Sequence, residues 1–479
     1  MICDNFRYPK LLEYFERISA IPRASYHEEK IVAYLLDFAR ERGLEAYSDK
    51  YNNVLINMPA TEGCEDRAPI LLQGHTDMVC EANIGCKHDF STDGLELFLE
   101  DGLVGARETT LGADDGVAVA IMLAVLDGAC KKHGAIQCLF TASEEVGLDG
   151  AGGFDYSRIF ARRMINMDGA EEDTLVVGCA GGLRSDAIFD IELAKRTRPQ
   201  VLKLTLGGLI GGHSGENIHE GRANANKLAL SLLRLLLDFG GAELVSLDGG
   251  SKENAIPREA VLVVAMDDIT TAAMLARKYA AGVRATLCPE DAEFFIHIEE
   301  LGAEAYDRVF APEFTEKLLG FAGSIDNGVI AMSDKIDGLV EFSRNLGVIK
   351  CDGDKIGFYF NSRSAIDAQI EESMQKIDQS AAVIGGKVVH RNRYPGWDVS
   401  GYSQLAENYI ALADEMFGTK VKKTALHAGL ECGIVKCNVP DMEIISVGAD
   451  ITDLHSPKER LGLDSFGRVF AVVCAMIEK

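Results

Sequence analysis

The chain has 479 residues, more than one hydrophobic core usually serves, so two or more domains are expected. Its 48 Lys and Arg against 74 Asp and Glu give a net charge of −26, which argues against nucleic acid or an anionic membrane surface as the main partner. No stretch is apolar and long enough to span a bilayer. The twelve cysteines are scattered, with no Cys-x-x-Cys pair, and read as free thiols of a reducing compartment. No basic segment followed by an apolar run opens the sequence, so a cytoplasmic location is the expectation.

In chain order, helical spacing comes first, with Leu11, Leu12, Phe15 and Ile18 followed after Pro22 by Ile31, Tyr34, Leu35 and Phe38. Residues 69–79 then read as a short buried strand ending in His75-x-Asp77. Period-two geometry turns both side chains the same way. A neutral imidazole ligates transition metals, and a carboxylate two residues on either ligates beside it or hydrogen-bonds its other ring nitrogen, fixing the tautomer. Alone, such a pair is a weak signal. Leu111-Gly-Ala-Asp-Asp-Gly116 combines glycines suited to a tight turn with acids suited to a helix N-terminus, and the apolar residues 117–126 continue as a buried helix. Residues 135–142 form a second buried strand running into Ser143-Glu144-Glu145, and residues 163–168 a third ending in Asp168. Strands alternating with helices imply an α/β fold with a mostly parallel sheet, whose ligands bind beyond the carboxyl ends of the strands.

From about residue 196 to 393 the texture becomes antiparallel strands and helices and repeats itself, in halves at about 200–298 and 310–392. After Trp397 the α/β texture returns, with a helix near 402–417, the turn His427-Ala-Gly-Leu-Glu-Cys-Gly433, a strand at 442–447 and Asp453-Leu-His455-Ser-Pro457. The expected organisation is a discontinuous α/β domain, residues 1–195 and 394–479, interrupted by an α+β domain at 196–393. The strand-end groups are then His75, Asp77, Asp114, Glu144, Glu145, Asp168 and His455. Imidazole and carboxylate donors suit zinc, with manganese or cobalt as alternatives. Two such ions roughly 3.5–4 Å apart clamp an attacking and a developing oxygen.

His75-Thr-Asp77, Leu-Gly-Ala-Asp114, Ser-Glu144-Glu145, Asn-Met-Asp168, Gly-Gly-His213-Ser-Gly and Leu-His455-Ser-Pro occur in order, and together they resemble the co-catalytic di-zinc exopeptidases. That family includes carboxypeptidases, dipeptidases and amide deacylases. Asn254-Ala-Ile-Pro, Arg344-Asn-Leu-Gly, Tyr-Pro-Gly-Trp397 and the glycine-rich turn at His427 are similar to its aminoacyl-histidine dipeptidase branch, which cleaves Xaa-His dipeptides.

The resemblance implies a di-metal catalytic domain with an inserted lid domain at 196–393. Asp114 would bridge two zinc ions, His75 and Asp168 completing one site and Glu145 and His455 the other. Asp77 would orient His75, Glu144 would be the general base toward a hydroxide bridging the metals, and His213 would polarise the scissile carbonyl, from its own chain or from a dimer partner. Asn254, Arg344, His427 and Gly429 would contact a small peptide substrate. Asp115 is a departure, since the branch leads one to expect Asn, and it adds negative charge beside the bridging ligand. Dipeptide hydrolysis is the reading this supports, in a monomer or homodimer. An amide deacylase or carboxypeptidase of the same family is the alternative, and a non-catalytic peptide-binding protein is the rival from another class.

Overall fold

The computed structural model describes residues 2–3, 5–399 and 401–479, in two compact units. The first comprises residues 1–179, 399–425 and 430–479, the second 180–398 and 426–429. Among the described residues no helix is long and apolar enough to cross a membrane.

The first unit is built on an eight-stranded sheet in the order Glu45–Ser48, Val54–Met58, Ile136–Thr141, Ile70–His75, Arg163–Gly169, Glu443–Gly448, Thr174–Cys179, Lys422–Leu426. Its four central strands, Ile136–Thr141, Ile70–His75, Arg163–Gly169 and Glu443–Gly448, run parallel. Antiparallel pairs extend the sheet outward on both sides. All six residues of Ile70–His75 and of Ile136–Thr141 are buried, as strands covered on both faces must be, and this explains their continuous apolar character. Helix Ala113–Leu126 covers one face and is buried along its whole length from Gly116. Each of its fully buried Val, Ile, Leu and Met side chains contributes about 1.5–3 kcal/mol relative to exposure. Close approach is enforced at Gly74, where a Cβ would lie 2.2 Å from Ala118 Cβ and 2.4 Å from Asp115 Oδ2. Parallel strands share one carboxyl edge, and that shared edge gathers the residues described below.

The second unit holds a nine-stranded antiparallel sheet. One half runs Glu243–Gly249, Ala260–Met266, Gln200–Gly207, Phe295–Leu301, and the other runs Val340–Asp352, Lys355–Ser364, Gly181–Asp190, Lys387–Tyr394. The two halves have the same strand order and meet where Gly249 pairs with Ile349. The ninth strand, Gly328–Met332, pairs beside Val340–Asp352. The second half takes its opening strand from Gly181–Asp190, which pairs with Lys355–Ser364 and Lys387–Tyr394. The first half is therefore inserted into the second, and the unit begins at residue 180 where the texture of the sequence suggested 196. The reason is that Gly181–Asp190 alternates buried and half-exposed positions like any one-sided strand, so sequence alone does not say which sheet it joins.

Candidate metal centre

Asp114 sits at the focus of the parallel edge. Its Oδ1 lies 3.0 Å from His75 Nε2 and its Oδ2 3.1 Å from His455 Nε2, so each oxygen of one carboxylate faces a different imidazole. Asp168 Oδ1 is 3.7 Å from His75 Nε2, and Glu145 Oε1 is 3.1 Å from His455 Nε2. Two histidine-carboxylate pairs thus share Asp114. The strand ends deliver them: His75 closes Ile70–His75, Asp168 lies at the end of Arg163–Gly169, Glu145 follows Ile136–Thr141, and His455 follows Glu443–Gly448.

Asp77 belongs behind this cluster. It is fully buried; its main-chain carbonyl lies 3.1 Å and its Oδ1 3.4 Å from His75 Nδ1, and Oδ1 accepts the Glu144 backbone N–H at 3.0 Å. Its Oδ2 accepts from the Ser25 hydroxyl at 2.7 Å and the Glu145 N–H at 3.3 Å. Asp77 therefore meets His75 through its carbonyl and its carboxylate, and the Glu144-Glu145 turn through its carboxylate. Glu28 holds that turn from the other side, its Oε1 accepting the Ser143 N–H at 2.9 Å and hydroxyl at 2.6 Å. Asp115, joined to Asp114 by a cis peptide bond, accepts the His75 N–H at 3.2 Å on Oδ2 and the Ala118 N–H at 3.2 Å on Oδ1.

The electrostatics report an excess of negative charge. Burial would raise Asp114, but hydrogen bonds from His455 and His75 outweigh it and hold the carboxyl far below the usual carboxylate range. Asp168 is pushed well up by burial and by the neighbouring Asp114. Glu144 is also pushed well up, by burial and by Glu431, Glu145 and Asp114. His455 is raised to about 10 by the adjoining Asp114 and Glu145. Among the described residues Glu145 Oε1 is buried with no regular hydrogen bond, His455 Nε2 standing 3.1 Å away as its ion-pair partner. Ligand atoms of His75, Asp114 and Glu145, and of His75, Asp115 and Asp168, all come within 4.8 Å of one another. An orphaned buried carboxylate oxygen, a carboxylate shared by two imidazoles and uncompensated acids are the donor set of a pair of divalent cations, and the residues fit such ions.

A second cluster lies within the second unit. His213 pairs with Ala255 in a short antiparallel bridge, its N–H donating to Asn217 Oδ1 at 2.9 Å. The neighbouring Ser214 N–H donates to the carbonyl of Asn254 at 2.9 Å. His213 Nε2 is 3.3 Å from Arg363 Nη2, and Arg363 Nη1 donates to the Tyr394 hydroxyl at 2.9 Å. His427 Nε2 meets the Ser343 hydroxyl at 2.7 Å. Burial, then the charge of Arg363, keeps both histidines neutral: His213 is lowered, and His427 falls to about 3. Gly429 lets its turn pass the Tyr394 ring, since a Cβ there would lie 2.7 Å from Tyr394 Cε2.

Arg344 does not stand with this group, which corrects the placement expected from sequence. In the register Arg344 pairs with Ser362 and Ser343 pairs with Arg363, so the two arginines emerge on opposite faces of the same two strands. Arg344 is 1 % exposed and donates to Ser373 Oγ at 2.8 Å and to the Asp326 carbonyl at 3.3 Å. Arg363 received no role from sequence. Its parity with Ser343 was the available signal, but only the cross-strand register makes it readable.

The chain is 33% identical over 474 residues to the cytosol non-specific dipeptidase of Escherichia coli (strain K12), covering 98% of this chain and 97% of that protein. It superposes on the aminoacylhistidine dipeptidase of Vibrio alginolyticus with a TM-score of 0.90 at 34% identity, covering 100% of this chain and 98% of the other. The fold extends to an aminopeptidase, PepT, of Bacillus cereus, with a TM-score of 0.57 at 16% identity over 99% of this chain and 98% of that one. The sequence pattern of peptidase family M20/M25/M40 matches residues 71–479, and the chain belongs to that family.

Proposed function

We propose that the protein is a cytoplasmic, metal-dependent dipeptidase acting on Xaa-His dipeptides or on dipeptides more broadly. The observation that carries this is Asp114, one buried carboxylate with an imidazole at each oxygen and a further carboxylate beside each imidazole. It is supported by likeness to two dipeptidases along the whole chain. His75, Asp114 and Asp168 would hold one ion and His455, Asp114 and Glu145 the other, with zinc the best match and manganese or cobalt alternatives. Bound there, the ions would polarise the scissile carbonyl and acidify the attacking water.

The protein's own groups do the rest. Glu144 is kept ready to take a proton by its burial among other carboxylates and by the Asp77 anchor on its backbone, and it returns that proton to the leaving amine. His213, neutral, offers a hydrogen bond to the developing oxyanion. Arg363, whose buried Nε has no hydrogen-bond partner among the described residues, is the group suited to grip the substrate carboxylate, with Asn254, His427 and Gly429 shaping the remainder of that pocket in a lid role for the second unit. The chain works as a monomer or homodimer.

A dipeptide-library assay on metal-stripped protein, with zinc, manganese or cobalt added back, tests the reading. Hydrolysis of dipeptides that exceeds that of tripeptides and N-acyl amino acids, and that disappears in Glu144→Gln, is the expected result. Preference for N-acyl amino acids would move the assignment to an amide deacylase, and no turnover of any peptide would leave a binding protein.

A further inference from the structure

Glu459 is 2 % exposed, carries no part in the mechanism above, and is not within the ligand set. Its Oε2 accepts the backbone N–H groups of Leu111 at 2.8 Å and Gly112 at 3.0 Å, and its Oε1 those of Ala113 at 2.8 Å and Asp114 at 3.4 Å. Four successive N–H groups converge because Gly112 takes a left-handed conformation, φ 64°, which makes the segment a concave nest for an anion. The protein fills that nest with its own carboxylate.

We propose that Glu459 is a positioning residue that fixes Asp114 as the ligand shared by both metal sites. Sharing requires each Asp114 oxygen to point at a different imidazole, a geometry that tolerates displacements of only about 0.5 Å. Residues 111–114 precede the regular part of the helix, and Asp114 and Asp115 have non-helical backbone angles, so the helix does not hold Asp114. Glu459 does so from outside. It stands four residues after His455, so one loop supplies both a ligand and the clamp on the opposing ligand. Arg23, also 2 % exposed, completes the arrangement from the other side, donating to the carbonyls of Gly112 at 2.5 Å, Thr76 at 3.0 Å and Asp77 at 3.1 Å. Gly112 must be glycine there, since a Cβ would lie 2.6 Å from Arg23 Nη2. The buried cation and anion thus spend their hydrogen bonds on the backbone of the ligand-bearing loops.

Glu459→Gln keeps the size and turns one oxygen into a donor that faces N–H groups. The inference rests on the metal reading of the site, so the test measures metal directly: zinc competition against a chromogenic chelator, the visible spectrum of the cobalt-loaded protein, kcat and KM at saturating metal, and melting of the metal-free protein. We expect zinc affinity or kcat to fall about 10- to 100-fold with an altered cobalt spectrum, while KM stays within about twofold. Leu463→Ala, a core change in the same segment, supplies a variant destabilised without loss of the clamp. Wild-type metal affinity and cobalt spectrum in Glu459→Gln would overturn the proposal, as would an equal metal loss in Leu463→Ala at equal melting temperature. If Glu459→Gln does not fold, Glu459→Asp, one methylene too short to serve both N–H pairs, is judged by the same readouts. A wild-type protein that binds no metal would overturn the metal reading itself, and the clamp with it.

Discussion

The acidic cluster of the first unit and the basic cluster of the second are opposite in every electrostatic respect. Around Asp114, buried carboxylates outnumber imidazoles, the acids Asp168 and Glu144 are forced up, and His455 is raised to about 10. Around Arg363, the guanidinium has no carboxylate hydrogen-bond partner among the described residues, and the histidines beside it are forced down. Neither cluster is balanced by itself. The first calls for cations and the second for an anionic group.

Breaking the acidic cluster has the largest expected effect. Asp114→Asn removes the shared ligand, and because metal ions supply several kcal/mol of transition-state stabilisation, kcat/KM should fall on the order of 10³-fold or more. Metal content of the purified variant measured beside turnover checks the cause. Glu144→Gln leaves the ligands in place and should lose roughly 10²–10⁴-fold in kcat while retaining metal.

The two arginines sharpen the contrast next. Arg363→Ala should lower kcat/KM about 10- to 100-fold, the value of one charge-assisted hydrogen bond to substrate, with little change in melting temperature. Arg344→Ala should do the reverse, costing about 1–3 kcal/mol of folding stability through the stranded Ser373 and Asp326 partners while leaving catalysis of the folded fraction intact. Equal kinetic loss in both would contradict the opposite-face assignment.

A smaller effect concerns pH. His427 titrates near 6.5 when unfolded and at about 3 when folded, so between those values the unfolded chain binds a proton the folded chain does not. Stability should therefore rise with pH from about 3 to 6.5 and level off above. Denaturant unfolding of His427→Asn should show a flatter acid limb than the parent. The smallest expected change is Asp115→Asn, which removes one ionisable carboxyl and one of two backbone anchors; zinc affinity should weaken by about tenfold at most, the low end for residues behind the ligands.

Much of the first unit was legible because its signals are local. Continuous apolar runs gave strands at 70–75, 136–141 and 163–169, and parallel pairing of such strands obliges their ends to meet. His75 and Asp168 lie at the ends of such runs, Glu145 and His455 in the loops that follow them, and Asp114 at the start of the buried helix. The roles of Glu28, Arg23 and Glu459 were not legible, because a lone buried charge bonded to distant backbone leaves no periodic trace. Arg344 and Arg363 sit alike between polar neighbours, Ser343 and Asn345 and Ser362 and Ser364, and a single residue of parity separates a structural arginine from one facing His213.

By itself, then, the order of apolar runs and polar strand ends pointed to an α/β unit with an inserted antiparallel one and to seven polar groups at one sheet edge, from which the family resemblance picked five as ligands. Hydrophobic periodicity is written along the chain, so it survives without a structure. Which strand opened the second repeat, which arginine faced the histidines, and which carboxylates face imidazoles while others accept backbone N–H groups were decided only by tertiary structure. Cross-strand register and burial arise from pairings between residues far apart in sequence, such as Glu459 with the N–H groups of 111–114.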